Sequence, residues 1–397
     1  MSGPLTGVKI VDLSSVISGP VATVLLADQG AEVIKIEPLQ GDIVRHMGNG
    51  ENGMSAGFLT ANRGKKSIAL DLKTAAGVAI VKDLVRDADV FVQNFRPGAV
   101  ERMGLGEAAI RAIKPDIIYV SISGFGDTGP YAHKRVYDPV IQALSGLTDI
   151  QAEGSDARPK MIRTIIPDKT TALTASQAIT AALFARERSG EGQAITLAMI
   201  DATIAYLWAE GMAGLSLVGQ EKHVRRGQLA QDLVFQTQDG YITAGAVSNA
   251  EWVGMCKVLN KPEWLDDPRF NQPGVRMRNA PERLALTSAE LIKRTSAEWL
   301  ELLDAAGVPC APILSRQEIV DNEQIKNNDL LNEYDHPGMG RVRQPRAAAQ
   351  FSRTKTNREQ LAPALGEHSR TILKAAGRTD EEISQLVAAG VVGVASS

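Results

Sequence analysis

Val8-Lys9-Ile10-Val11-Asp12-Leu13, then Gly19-Pro20 opening a run through Val24, Leu25, Leu26 and Ala27 to Gly30, then Glu32-Val33-Ile34-Lys35-Ile36-Glu37: the reading of this stretch decides the fold. Its outer segments are apolar runs of strand length, and the middle has helical spacing closed by a glycine. Strand, helix and strand with joints this tight make a βαβ unit, which requires parallel strands and a right-handed crossover. Only one glycine lies between Leu13 and Pro20, so the G-x-G-x-x-G of a nicotinamide dinucleotide site is absent.

The alternation continues outward. Ser67-Ile68-Ala69-Leu70-Asp71-Leu72 reads as a strand, residues 74–87 as a helix and Asp89-Val90-Phe91-Val92-Gln93-Asn94 as the next strand. A helix at 109–113 leads into Ile117-Ile118-Tyr119-Val120-Ser121-Ile122. Near-continuous apolar strands separated by helices predict an α/β fold, a Rossmann-like doubly wound parallel sheet covered on both faces. Ligands of such sheets bind beyond the carboxyl ends of the strands. The loops after Leu13, Asn94 and Ile122 are therefore the places for a site.

Ile165-Ile166-Pro167-Asp168, followed by an Ala/Thr-rich run to Arg188, reads as a short buried strand, a proline corner and a helix that opens at Asp168. Backbone N–H groups and the helix dipole favour an ionised carboxylate there. An ordinary N-cap is the commoner use of such an aspartate; a covalent nucleophile is the alternative. A strand at 194–199 and a helix containing Tyr206-Leu207-Trp208 come next. The pattern then changes to a hairpin over 233–244 with an Asp239-Gly240 turn, and helices at 250–259, 281–292 and 296–306. The expected layout is residues 1–200 as the first part of a large domain and 225–325 as a smaller α+β domain. Residues 326–397 are expected to be a connection and the rest of the large domain. Residues 324–349, broken by Pro337-Gly338 and Gly340, are expected to be irregular.

At 397 residues the chain is long enough for two domains. A formal charge of −3 provides no field for nucleic acid or an anionic membrane, so an anionic ligand has to be met by local Lys/Arg clusters. Cys256 and Cys310 lack metal-ligand spacing and the five histidines are scattered, so neither a metal nor a disulfide is expected. Met1-Ser2-Gly3-Pro4 has no secretory pattern. The apolar run at 198–219 carries Asp201 and Glu210, which fits a buried or interfacial helix better than a membrane span. A soluble cytoplasmic protein is the expectation.

Three constellations stand at strand ends. Ser123-Gly124-Phe125-Gly126-Asp127-Thr128-Gly129-Pro130 fits either a nest of N–H donors or a turn-rich connection. Asn94-Phe95-Arg96-Pro97-Gly98 with Glu101-Arg102-Met103-Gly104 fits a phosphorylated ligand or a solvated helix start. Arg63, Lys65, Lys66 and Lys73 flank the preceding strand and gather basic groups along one edge. No G-x-S-x-G elbow is present; His133 reads as a surface residue and Cys310 as a small buried hydrophobe.

Ser18-Gly19-Pro20, Gly30-Ala31-Glu32-Val33-Ile34-Lys35-Ile36-Glu37, Gly41-Asp42 and Arg45 together resemble the opening of the class III CoA-transferases, the CaiB/BaiF family. The resemblance runs on through Asn62-Arg63-Gly64-Lys65-Lys66-Ser67, Gly124 to Pro130, Tyr137-Asp138, Gln142, Ser145-Gly146, Asp168 and Arg188-Ser189-Gly190-Glu191-Gly192-Gln193. Near the C-terminus it takes in Gly307-Val308-Pro309-Cys310 and Leu365-Gly366-Glu367-His368. It implies a Rossmann-like large domain, a small α+β domain and an interlocked homodimer of threaded rings. It also implies CoA thioesters as substrates with a free carboxylic acid, and no prosthetic group. Asp168 matches the family's nucleophilic aspartate, which forms an anhydride and then an aspartyl-CoA thioester. Carried over from the family's formyl-CoA transferases, the CoA contacts fall on Val16, Leu70, Lys73, Asn94, Phe95, Arg102, Met103 and Arg135.

The chain departs from that branch twice. Pro38 stands where the branch has an arginine beside the adenine, and the tetraglycine loop is missing, with Gly227-Gln228 its nearest remnant. An α-methylacyl-CoA racemase on the same fold is the competing enzyme. Racemases carry Gly-His-Asp where this chain has Val136-Tyr137-Asp138, and tyrosine, with an ordinary pKa of about 10, is a poor base. A non-catalytic CoA-binding module would have no use for Asp168. His223, Arg225 and Arg226 suit either a second carboxylate on a dicarboxylic substrate or plain solvation.

Overall fold

The opening stretch folds as β1 (Lys9–Asp12), α1 (Ser18–Asp28) and β2 (Glu32–Glu37) in the computed structural model, with Ile10 opposite Val33 in a parallel pair. The structure describes residues 3–48, 50, 51, 53–152, 158–219, 232–356 and 360–395. β3 (Lys65–Leu70), α2 (Ala75–Val85), β4 (Val90–Gln93), α3 (Ala99–Arg102), α4 (Glu107–Ile113) and β5 (Ile118–Ser123) extend the pattern. α5 (Asp138–Leu144), α6 (Ile166–Ser189), β6 (Ala194–Ala198) and α7 (Met199–Trp208) follow. These strands lie parallel in the order 3-2-1-4-5-6, the doubly wound arrangement, whose switch point falls between β1 and β4.

Both faces are covered, as strands without a polar face require. On one side Val11, Ile36, Ile68, Phe91 and Tyr119 pack against Ile80, Val81 and Val85 of α2 and Ile110 of α4. On the other, Ile10, Val33, Val90, Val92, Ile118 and Val120 meet α1 and α6. The inner face of α6 presents Ala172, Ala175, Ile179 and Ala182 to Ala22, Leu26 and Ala27 of α1. Small residues on both helices allow close approach, and this packing fixes where the first turn of α6 sits.

Contact density divides the chain into Met1–Trp208 with Asp329–Ser397, and Ala209–Asn328. The second unit holds β7 (Val234–Gln236), β8 (Tyr241–Ala244), α8 (Asn249–Val258), α9 (Ala280–Leu291), α10 (Ser296–Ala305) and β9 (Cys310–Pro312). Its own core is built on Phe235, Ile242, Trp252, Trp264, Phe270, Leu291 and Trp299. The first unit is completed by β10 (Leu331–His336), β11 (Gly340–Pro345), α11 (Ser369–Ala375), α12 (Asp380–Ala388) and β12 (Val392–Gly393). β12 runs antiparallel beside β3, with Val392 opposite Leu70.

Several expectations are corrected. β3 starts at Lys65, not Ser67, because two lysines hide its first turn of pleat; Lys65 is nevertheless buried, paired with Asp12. No strand leads directly into Asp168: Ile165 is the N-cap of α6 and Ile166 its first residue. Residues 331–345 form an antiparallel hairpin, not an irregular connection. Alternation was masked there because His336 and Gln344 point inward. The His336 Nε2–H donates to the Ala362 carbonyl at 2.9 Å, and Gln344 accepts from the Tyr334 hydroxyl at 2.9 Å. Among the described residues no helix is long and apolar enough to cross a membrane.

Candidate active site

Asp168 is the third residue of α6, after Ile166 and Pro167, and Ile165 makes no side-chain cap. Ser18, the first residue of α1, turns its backbone N–H toward the Asp168 carboxylate and favours the ionised form. The Asp168 backbone N–H donates to Asp138 Oδ2 at 3.1 Å, and Asp138 is the buried first residue of α5. Gln142 Nε2 donates to Asp138 Oδ1 at 2.7 Å, while its Oε1 accepts the Ile162 N–H at 3.0 Å. The amino ends of three helices thus converge on two carboxylates. Unsatisfied N–H groups and dipole ends make such a place favourable to negative charge. Burial pushes the Asp168 carboxyl up, and the Asp138 charge pushes it further. The Ser18 N–H pulls back, and the result is about 6.

The loop between β1 and α1 is pinned residue by residue. Ser14 N–H donates to Asp12 Oδ1 at 2.9 Å. The Asn94 side chain accepts the Ser15 N–H at 2.9 Å and donates to the Ser15 carbonyl at 2.8 Å. Val16 N–H reaches both oxygens of Asp42, at 3.3 and 3.2 Å. Lys35 Nζ donates to the Ser14 carbonyl and to Asp42, each at 3.0 Å. Val16 has φ +69°, a left-handed conformation that costs a β-branched residue ~1–2 kcal/mol. Strain of this kind persists only where the surroundings over-determine it.

A buried ionic layer lies under that loop. Lys65 Nζ pairs with Asp12 at 3.0 Å, and Arg45 grips Glu37 through two bonds of 2.7 Å. Burial opposes ionisation of Asp12, but Lys65, Lys35 and the Ser14 and Thr23 hydroxyls outweigh it and hold the carboxyl at about 2. Burial brings the Lys65 ammonium down to about 8 against the pull of Asp12. The expected basic edge is corrected accordingly. Arg63 pairs with Asp28, Lys65 with Asp12 and Lys66 with Glu32, all from the amino end of β3. Lys73 alone of that group lies beyond the carboxyl end, and it is exposed.

The other expected contact residues also lie beyond carboxyl ends. Val16 follows β1, Asn94 and Phe95 follow β4, Arg102 and Met103 close α3, and Arg135 lies in the segment after β5. Arg102 and Arg135 are exposed, while Phe95 and Met103 pack partly against the core. Leu70 differs: its side chain is fully buried in the core, so a ligand can meet only its main chain. The glycine-rich segment is organised by its own turns, with Gly126 N–H donating to Ser123 Oγ at 2.9 Å. Gly124 is required by close packing, since a Cβ there would lie 2.4 Å from Val136 Cγ1, just ahead of Asp138. His133 is exposed, and so is Tyr137 at 68%. His223, Arg225, Arg226, Gly227 and Gln228 lie outside the described residues. Among the described residues no group of His, Cys, Asp and Glu side chains could hold a metal ion.

Sequence reasoning gave Asp12, Asp42 and Asp138 no role, although Gly41-Asp42 and Tyr137-Asp138 helped carry the resemblance. An aspartate directly at the end of a strand, as at Asp12, was the available signal.

The fold and site define a doubly wound α/β protein with a partly buried, raised carboxylate at the carboxyl edge of its sheet. The chain belongs to CoA-transferase family III, whose model matches residues 5–369. It is 40% identical to the succinyl-CoA:glutarate CoA-transferase of Mus musculus over 98% of this chain and 90% of that one. It is 33% identical to the succinate–glutarate CoA-transferase of Agrobacterium fabrum, over 93% and 95% of the two chains. A crystal structure of a CaiB/BaiF family protein from Brucella suis superposes with a TM-score of 0.82 at 31% identity, covering 95% of this chain and all of that one.

Proposed function

We propose that this CoA-transferase moves coenzyme A from succinyl-CoA to a free dicarboxylic acid of the glutarate class, with Asp168 as covalent nucleophile. The observation that carries the reading is the Asp168 carboxylate, poised near pH 6 at the amino end of α1 and beside Asp138. At pH 7 about nine-tenths of it is ionised, and a more basic carboxylate is a better nucleophile. Relatives whose names specify succinate and glutarate support the acid class.

An Asp168 carboxylate oxygen attacks the thioester carbonyl; the C–S bond breaks, leaving a mixed anhydride and the CoA thiolate. The thiolate attacks the aspartyl carbonyl and expels the donor acid as its carboxylate. The aspartyl-CoA thioester that remains is attacked by the acceptor carboxylate, which again releases thiolate and forms an anhydride. Thiolate attack on the acceptor acyl carbonyl then yields the new thioester and restores Asp168. One thioester replaces another, so the exchange needs no ATP. Alignment of the reacting groups supplies up to roughly 7–11 kcal/mol, and N–H groups at the helix ends stabilise developing negative charge. The exposure of Lys73, Arg102 and Arg135 beyond the strand ends supports their meeting the phosphates of CoA.

The test is exchange between succinyl-CoA and glutarate, read by mass spectrometry. It should vanish in Asp168→Asn, and hydroxylamine added during turnover should modify the peptide containing Asp168. Undiminished exchange in the variant would reject the nucleophile. Deuterium uptake at the α-carbon in heavy water without acceptor would instead indicate racemase chemistry, which the exposed Tyr137 does not favour. The homodimer is proposed from the resemblance together with Leu173, 58% exposed, and Phe184, 57% exposed, on the outer face of α6.

A further inference from the structure

Asn94 engages the polypeptide through both kinds of polar group on its side chain. Its carbonyl oxygen accepts the Ser15 N–H at 2.9 Å, and its amide donates to the Ser15 carbonyl at 2.8 Å. A primary amide closes such a reciprocal pair only when the partner backbone is held at one distance and angle. The next residue is Val16 at φ +69°, tied from the other side to Asp42. The left-handed turn is therefore gripped from the ends of the two strands that flank β1, for Asn94 follows β4 and Asp42 follows β2. Two residues beyond Val16 comes Ser18, the first residue of α1, the helix packed against the Asp168 end of α6, and its N–H favours the ionised Asp168 carboxylate.

We propose that Asn94 is a positioning residue: by clamping Ser15 it keeps Val16 in its left-handed turn and so aims the amino end of α1 at Asp168. The clamp is needed because valine by itself leaves this conformation, and a relaxed loop would carry Ser18 away from the carboxylate. This role, exerted by the Asn94 side chain through the loop, goes beyond the CoA contact that the family resemblance assigns to Asn94. The inference rests on Asp168 being the attacking group.

Asn94→Ala should lower kcat for succinyl-CoA/glutarate exchange roughly tenfold or more while KM for succinyl-CoA stays within about threefold, the pattern of lost alignment and not of lost binding. The acid limb of kcat should move to higher pH, because the carboxylate loses the Ser18 N–H that favours its ionised form. Glycine adopts the left-handed turn without strain, so adding Val16→Gly to Asn94→Ala should bring the acid limb back toward that of the parent. A raised KM with unchanged kcat would make Asn94 a ligand contact and overturn the proposal. So would a double variant that unfolds at the parent's temperature yet keeps the displaced acid limb. Asp168→Asn serves as the control. Exchange surviving in it counts against the nucleophile, whereas a KM-only effect of Asn94→Ala beside an inactive Asp168→Asn counts against the clamp alone.

Discussion

Asp168 is held by opposing influences: burial and the Asp138 charge favour its proton, and the Ser18 N–H favours its loss, with a balance at about 6. The rate should therefore fall about tenfold per pH unit below pH 6 and flatten above it. A profile of kcat between pH 4.5 and 8 checks this; a limb near 4 would mean that the site does not raise the carboxyl. The same shift has a stability consequence of opposite sense to that of a salt-bridged aspartate. The native state binds this proton more tightly than the unfolded chain, so stability is lost as pH rises from about 4 to about 6. Asp168→Asn should consequently be more stable than the parent at pH 8, on the order of 1–2 kcal/mol after discounting for partial exposure, with the gap closing by pH 4. Denaturant midpoints at both pH values measure it. Asp168 itself was legible because Pro167 marks a helix entry. Ser18 and Asp138 were not, because no local pattern tells which distant N–H or carboxylate a side chain will meet.

At the scale of elements, the alanine face of α6 sets the distance from Asp168 to α1. Ala172 is fully buried one turn beyond Asp168, among Ala22 and Leu26. Ala172→Leu adds volume with nowhere to go, and overpacking of this kind costs about 1–3 kcal/mol. The first turn of α6 should move off α1, drawing Asp168 away from the amino end of that helix. The expected result is a lower urea midpoint together with a loss of kcat larger than Ala182→Leu, farther along the helix, produces. Equal losses at the two positions would show that packing near Asp168 is not what aligns it. The strands and most helices were legible because apolar periodicity is a local signal that survives in one sequence. The signal failed where burial is achieved by polar pairing. Lys65 hid the start of β3, and His336 and Gln344 hid the hairpin. In each case hydrogen bonds from far along the chain satisfy a side chain that reads as solvent-facing.

For the whole molecule, the distinctive feature is that the first unit closes only with the last residues of the chain. Ile372, Leu373, Ile383, Val391 and Val392 all enter the core that also holds Ile36, Ile68 and Phe91. At about 1.5–3 kcal/mol for each fully buried aliphatic side chain, together they contribute roughly as much as the entire net stability of a typical domain. Polar closure adds to this. The Pro363 carbonyl accepts from the buried Arg45 at 3.1 Å, and the Gly366 N–H donates to Ser67 Oγ at 3.0 Å. β12 meanwhile covers the open edge of β3, which would otherwise offer unpaired N–H and C=O groups to other chains. A chain ending at Leu361 should therefore lose hydrogen-exchange protection throughout β1 to β6 and aggregate. The Ala209–Asn328 unit owns a separate core containing Trp252, Trp264 and Trp299, so its tryptophan fluorescence transition should persist. Protection of Val90, Phe91 and Val92 surviving in the shortened chain would show instead that the six parallel strands are stable without their final partner.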